Sequence, residues 1–160
     1  MKRRTVLAAA AIAFVTSACS NMGGQSGGGD SGWTTLIDGE KGLENFTRIG
    51  GANWRAEGGA IVADKITDTS YLMTKQSYRD FVIRAEFWGE ASTNSGIFIR
   101  ITTPPKITAT ESYEVNIYDA RAAGLDYGTG GIPNFAKVEP PYPKTAGQWN
   151  TYVITAKGPL

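Results

Sequence analysis

Histidine is absent from this 160-residue chain, and cysteine occurs once. Without histidine there is no Ser-His-Asp triad, no imidazole general base and no zinc site of the HExxH type. A single cysteine excludes an internal disulfide and a thiolate zinc cluster. The charges nearly balance, with 16 Lys and Arg against 15 Asp and Glu, so no basic patch predicts nucleic-acid binding. Much common enzyme chemistry is therefore excluded, and the length suits one domain.

The N-terminus has the pattern of an export signal. Lys2, Arg3 and Arg4 precede a ten-residue apolar run at residues 6–15 (VLAAAAIAFV). That run is too short to span a bilayer, which needs roughly 20 residues, but it is typical of a secretory signal peptide. We therefore predict that residues 1–18 are a removable signal peptide and not part of the fold.

The single cysteine follows the apolar run directly. Residues 16–18 (TSA) lead into Cys19 in a way that resembles the lipobox of bacterial lipoproteins. The resemblance implies cleavage before Cys19 and acylation of its thiol, with ordinary signal-peptidase cleavage as the alternative. Residues 20–32 contain six glycines, so residues 19–32 are predicted to be a flexible linker. Together these features predict an exported protein of the bacterial cell envelope, lipid-anchored on the periplasmic side of the outer membrane.

From residue 33 onward the sequence shows β-strand patterns. Apolar and polar residues alternate with period two in four longer runs, at residues 80–88, 96–102, 113–119 and 149–157. Shorter candidate strands lie at residues 34–37, 54–56, 60–63 and 71–74, and Glu57, Gly58 and Gly59 between two of them indicate a hairpin turn. No stretch of 11 or more residues after the signal has helical periodicity. The chain from 33 to 160 is therefore predicted to be an all-β sandwich or jelly roll.

The polar faces of three long strands suggest a ligand. Their reverse faces carry Arg84, Glu86, Trp88, Phe98, Arg100, Glu114, Asn116 and Tyr118. If these strands pair as neighbours, the side chains share one surface. Aromatic rings, arginines, carboxylates and an amide together suit a polyhydroxylated ligand such as a sugar. The alternative is a solvated sheet face with cross-strand ion pairs.

Five ordered segments of the chain resemble the 3-keto-disaccharide hydrolase domain family. They are residues 54–62 (WRAEGGAIV), 78–87 (YRDFVIRAEF), 94–100 (NSGIFIR), 113–117 (YEVNI) and 146–152 (AGQWNTY). The resemblance implies a concanavalin A-like jelly roll of two antiparallel sheets. It also implies action on glycosides already oxidised to a ketone at sugar C3. Family members continue past the segment that resembles residues 152–158, so the resemblance implies that this chain lacks their last strands.

The implied chemistry needs a base and a partner for developing negative charge. A ketone at C3 acidifies the proton at C2, which a carboxylate can remove. Glu114, in the YEVNI segment, is the candidate base, and Arg100, which ends NSGIFIR, is the candidate clamp for an oxyanion or a hydroxyl. The long loop of residues 120–143 adds further candidates. The predicted substrate-binding residues are Glu86, Asn94, Ser95, Asn116, Tyr127 and Lys137. For each, the alternative is a salt bridge or an ordinary turn.

The sequence therefore supports three hypotheses. The first is an enzyme that cleaves 3-keto-glycosides by base-assisted elimination or hydrolysis. The second is a non-catalytic carbohydrate-binding lipoprotein that uses the same face. The third is a protein-interaction module at the outer membrane. No metal site is predicted and no cofactor is required by the sequence, although a divalent metal is left open.

Overall fold

The computed structural model describes residues 9–18, 32–64, 68–101, 107–120 and 124–158. The described residues form ten β-strands and one 3-10 turn, at Leu43–Asn45, which confirms the all-β prediction. The strands are β1 Ala9–Ala18, β2 Thr34–Thr35, β3 Phe46–Ile49, β4 Arg55–Glu57, β5 Ala60–Asp64, β6 Tyr71–Thr74, β7 Phe81–Trp88, β8 Asn94–Ile99, β9 Tyr113–Tyr118 and β10 Trp149–Ala156. None of the described helical segments has the length and apolar character to cross a membrane.

The first sheet has the order β10-β7-β1-β5-β4, and β2 pairs with β1 at its margin. All of its pairs are antiparallel. The hairpin between β4 and β5 turns at Gly58 and Gly59, whose φ angles are +64° and +83°. Two residues of positive φ make the tight turn whose twist suits a hairpin, and glycine adopts them without strain. The predicted turn at this position is confirmed.

The second layer consists of two antiparallel pairs, β3 with β6 and β8 with β9. Both pairs pack on the same face of the first sheet. Phe46 of β3 lies in one buried cluster with Ile61 of β5 and Phe87 of β7. A second cluster joins β7 and β10 to β8 and β9; its buried members are Ile83, Ala85, Ile97, Val115 and Ile154. Burial of these side chains between two layers gives the predicted jelly-roll sandwich.

The N-terminal apolar segment lies inside the first sheet. Ala9–Ala18 forms β1, which pairs with β7 along eight residues and with β5 along three. An apolar segment with Ile, Phe, Val and Thr is compatible with an extended strand, and β5 and β7 each offer it an edge. This placement differs from the expectation that the segment lies outside the fold. The structure does not test whether residues 1–18 are cleaved off, so the signal peptide stays a prediction. Cys19 lies outside the described residues.

The polar faces of β7 and of the β8–β9 pair do not form one surface. Ile83 and Ala85 of β7 face Ile97 and Val115 across the core. The alternate residues of each strand therefore point away from the core on opposite sides of the sandwich. The expectation of one shared surface is wrong for β7. The sequence also did not predict β3, a strand of four residues.

Candidate functional site

The outer face of the second layer carries the candidate site. In the β8–β9 pair, Phe98 lies directly opposite Glu114, and Gly96 lies opposite Asn116. These residues alternate with the buried Ile97 and Val115, so their side chains leave the β8–β9 pair on the side away from the core. We call this surface the Glu114 face.

Glu114 is a half-buried carboxylate without a charged partner. It makes no ion pair or hydrogen bond with any residue that the structure describes. Its carboxylate lies against Gly96, where an added Cβ atom would stand 2.6 Å from Glu114 Oε1. Burial raises the pKa of the Glu114 carboxyl above its ordinary value, because the charged form loses hydration. Gly96 thus leaves the space that the Glu114 carboxylate occupies.

Two aromatic rings stand beside this carboxylate. The ring of Tyr71, in β6, meets the ring of Phe98 edge to face, with centroids 5.6 Å apart and planes at 89°. The Tyr71 hydroxyl donates a hydrogen bond to the backbone oxygen of Ile107, at 3.1 Å. Burial raises the pKa of Tyr71, and the negative charge of Glu114 raises it further. Tyr71, Phe98 and Glu114 therefore form one group contributed by three strands.

A cleft of about 420 Å³ lies between β6 and β8. Consecutive residues of both strands line it, so it runs along the strand edges rather than along one side-chain face. In the described part of the chain, β6 pairs with β3 alone and β8 with β9 alone. The buried side chains of Leu36, Trp54 and Ile83 line its inner part. The cleft leads from Tyr71 and Phe98 towards these buried apolar side chains.

The structure brings three predicted binding residues together at the side of β9. The Asn116 side-chain amide donates to the backbone oxygen of Tyr127, at 2.6 Å. The ammonium group of Lys137 lies 5.8 Å from the centre of the Tyr127 ring and 2.8 Å from an Asp126 carboxylate oxygen. Hydrogen bonding to Lys137 and then to Tyr142 lowers the pKa of Asp126. The loop that follows β9, which includes Tyr127 and Lys137, forms a polar rim next to the Glu114 face.

Asn94 and Ser95 are adjacent in sequence but point to different sides of β8. Asn94 is exposed, lies opposite Tyr118 and shares the parity of Gly96 and Phe98. Ser95 has the parity of Ile97 and lines the cleft. The two residues therefore do not act on one surface, and their predicted binding roles stay predictions.

Arg100 is engaged by backbone and acidic groups near the ends of the first sheet. Its φ of +60° lies in the left-handed region that is uncommon outside glycine. The guanidinium donates to the backbone oxygens of Arg79 and, at 3.0 Å, of Gly158. It also lies 3.5 Å from Asp80 and 5.7 Å from the centre of the Phe81 ring. These contacts tie the end of β8 to the first sheet, while the predicted catalytic role of Arg100 stays a prediction.

Glu86 lies on the outer face of the first sheet, away from Glu114. It alternates with the buried Ala85 and Phe87, and its carboxylate is 3.1 Å from the Arg84 guanidinium. Both side chains are about half exposed, at 50% and 52%. The structure does not bring Glu86 together with Glu114, because β7 belongs to the other sheet, and the predicted binding role of Glu86 stays a prediction.

Sequence reasoning assigned no role to Tyr71 or Gly96. Tyr71 begins a strand of four residues, too short for alternation to indicate which face it presents. Gly96 was part of a strand pattern, in which an isolated glycine is a signal of close approach. Among the described residues, no group of three or more Asp, Glu, Cys or His side chains is placed to hold a metal ion.

Comparison with protein families places these residues in a known domain type. Residues 32–160 match the family described as the 3-keto-alpha-glucoside-1,2-lyase-like domain, a 3-keto-disaccharide hydrolase type. The match covers the segments that carry the resemblance noted above and includes every strand from β2 to β10. No curated protein and no solved structure matches the chain.

Proposed function

The chain belongs to the family of 3-keto-alpha-glucoside-1,2-lyase-like domains, and on that premise we propose that it cleaves glycosides oxidised to a ketone at C3. The observation that carries this proposal is the environment of Glu114. Its carboxylate is half-buried and has no hydrogen-bonding partner among the described residues. A carboxylate that no cation neutralises is available to take a proton from a bound substrate.

The reaction we propose begins at C2 of the oxidised sugar. The C3 ketone acidifies the C2 proton, and the Glu114 carboxylate removes it. The electron pair left at C2 is first delocalised onto the C3 oxygen. It then forms the C1–C2 double bond as the C1–O bond breaks, and the departing oxygen takes a proton from solvent. Addition of water across the new double bond completes hydrolysis.

Two features of the site support this chemistry. Burial raises the pKa of Glu114 above its ordinary value, which strengthens the carboxylate as a base. The rings of Phe98 and Tyr71 present apolar surface of the kind that covers the C–H faces of a sugar. Neither feature requires histidine, which the chain lacks.

The test uses the full chain, purified in detergent and shown to be folded by circular dichroism. It is incubated with 3-keto-trehalose and, separately, with trehalose, and released sugar is measured. We expect cleavage of the keto form alone. Folded protein that cleaves neither sugar contradicts the proposal. Binding without cleavage favours the alternative of a non-catalytic carbohydrate-binding lipoprotein.

We also propose that the protein works in the bacterial cell envelope, exported by its first 18 residues and anchored through a lipid on Cys19. The support is the order of basic residues, apolar run, small residues and cysteine in the sequence. Growth of an expressing bacterium with radiolabelled palmitate tests the anchor. We expect label on the wild-type chain and none on Cys19→Ser. An unlabelled wild type that is exported in soluble form contradicts lipidation.

A further inference from the structure

Tyr71 lies on the same side of the second layer as Glu114. In the β3–β6 pair, Leu72 lies opposite Arg48 and packs on the buried core cluster. Tyr71 is the neighbour of Leu72 in the strand, so its side chain leaves the opposite face. The edge-to-face contact with Phe98 confirms that side, because Phe98 is on the Glu114 face.

The three side chains follow one another across the layer. Tyr71 contacts Phe98 across the cleft, and Phe98 faces Glu114 in the next strand pair. Residues directly opposite in an antiparallel pair have Cβ atoms about 5 Å apart. A sugar ring placed over Phe98 would therefore have the carboxylate on one side and the phenol on the other.

We propose that Tyr71 is a second catalytic residue of this site, whose hydroxyl donates a hydrogen bond to the C3 oxygen of the substrate. The inference rests on the proposed function, because Tyr71 stabilises the negative charge that forms on the substrate when Glu114 removes the C2 proton. As the C2 proton moves to Glu114, the C2–H electron pair forms a C2–C3 double bond and the ketone π electrons move to the C3 oxygen. Tyr71 stabilises that oxygen while keeping its own proton.

The environment of Tyr71 suits a donor that stays protonated. Burial and the Glu114 charge raise the pKa of Tyr71, so the phenol is neutral at physiological pH and can donate. In the absence of substrate its proton goes to the backbone oxygen of Ile107, at 3.1 Å. Rotation about the C–O bond of the phenol redirects the proton to substrate without movement of the ring.

Tyr71→Phe tests the hydroxyl while keeping the ring that contacts Phe98. Tyr113→Phe is the matched control, because Tyr113 neighbours Glu114 in β9 but its ring contacts Phe135, 4.6 Å between centroids. Two reactions are measured with the full chain. One is cleavage of a 3-keto-glucoside. The other is exchange of the C2 hydrogen for deuterium in a 1,5-anhydro-3-keto-hexitol, which carries no aglycone to expel from C1.

For Tyr71→Phe we expect kcat for cleavage and the rate of deuterium exchange to fall together by about 10²-fold, with KM changed little, since one donor to a developing oxyanion has that effect. Tyr113→Phe is expected to match the wild type in both reactions. A Tyr71→Phe variant with wild-type kcat and exchange overturns the inference. A variant that raises KM alone also overturns it, because Tyr71 would then only bind substrate.

A third measurement needs no substrate. Ultraviolet titration of the wild type minus Tyr71→Phe isolates the ionisation of Tyr71, which we expect at lower pH when Glu114 is replaced by Gln. An unchanged titration shows that the two groups share no site and overturns the inference. Suppose that the Tyr71 titration depends on Glu114, that Tyr71→Phe exchanges deuterium more slowly than the wild type, and that the wild type cleaves no 3-keto-glucoside. That result supports the Tyr71 role and contradicts the proposed lyase or hydrolase function. Coupled titration with neither exchange nor cleavage overturns both proposals.

Discussion

Glu86 and Glu114 occupy equivalent positions in the sequence pattern but very different places in the molecule. Each lies within an alternating strand, on its polar side. Glu86 is half exposed and 3.1 Å from the Arg84 guanidinium. Glu114 is half-buried, lies against Gly96, and has no ion pair with any described residue. Alternation thus predicts which face of its strand a residue occupies but not which sheet the strand joins. The sheet determines the surroundings of the carboxylate.

The two environments have opposite energetic consequences. An exposed carboxylate with an adjacent arginine keeps most of its hydration, and such pairs contribute about 0 to 1 kcal/mol to stability. A half-buried carboxylate without a partner is less well solvated, and its pKa rises as a result. The first arrangement is typical of a sheet surface, whereas the second is typical of a group that reacts.

The largest expected effect comes from removing each carboxylate in turn. Glu114→Gln keeps the shape of the side chain but removes the base, so we expect turnover of a 3-keto-glycoside to fall by about 10² to 10⁴-fold. Glu86→Gln is expected to retain wild-type turnover, since its carboxylate lies on the other side of the sandwich. Steady-state kinetics of the two variants and the wild type with a 3-keto-glycoside measure both effects. Equal losses in both, or none in either, would remove the distinction between the two residues.

The second effect tests the space that Gly96 provides. A Cβ atom in Gly96→Ala would stand 2.6 Å from Glu114 Oε1, so the carboxylate must move. Misplacement of a catalytic group by about 1 Å can lower the rate by about 10²-fold. The clash involves a flexible side chain, which can move aside without disturbing the fold. We therefore expect a large loss of turnover and little change in the melting temperature.

Gly51→Ala is the control for that substitution, because no atom lies within 4 Å of a Cβ added there. We expect it to leave turnover unchanged. Wild-type turnover in Gly96→Ala would show that the position of the Glu114 carboxylate is not important for the reaction.

The third effect compares two arginines. The Arg100 side chain is 13% exposed and binds the backbone oxygens of Arg79 and Gly158. Its truncation in Arg100→Ala leaves those acceptors without a donor, so we expect the free energy of unfolding to fall by about 2 kcal/mol. Arg84→Ala, at an exposed pair, is expected to lower it by less than about 1 kcal/mol.

Urea denaturation of both arginine variants, with turnover measured per folded molecule, separates the two roles of Arg100. Unchanged turnover in folded Arg100→Ala is the result we expect from its structural contacts. A loss of kcat in the folded variant would instead support the oxyanion clamp predicted from the sequence.

Much of the fold followed from local pattern. The period-two alternation placed β7 to β10 within three residues of their ends, and its apolar positions include Ile83, Ile97 and Val115, which are buried in the core. The glycine pair at Gly58 marked its hairpin because the turn requires positive φ at both positions. These features depend on residues close in sequence, and local physics determines them.

The site was only partly predictable, because it depends on contacts between distant segments. Glu114 was identified, but its neighbour Tyr71 lies more than forty residues earlier in the chain and reaches it through the packing of β6 beside β8. Asn116, Tyr127 and Lys137 were singled out individually, and a chain of contacts joins them. Glu86 was misplaced because alternation carries no information on which strands share a sheet.

The smallest expected effect is on stability, and it depends on pH. Burial raises the pKa of Glu114 in the folded state above that of the unfolded chain, so the folded state favours the protonated carboxyl. Stability from this group is therefore complete below the ordinary glutamate pKa of about 4.3 and declines as the pH rises through the higher, folded value. Gln carries no charge to desolvate. Glu114→Gln should thus melt at about the wild-type temperature near pH 4 and above it at pH 7, whereas Glu86→Gln should follow the wild type at both. A Glu114→Gln variant less stable than the wild type at pH 7 would mean that the Glu114 carboxylate has a stabilising partner. Glu114 would then resemble the paired Glu86, and the contrast between the two glutamates would be wrong.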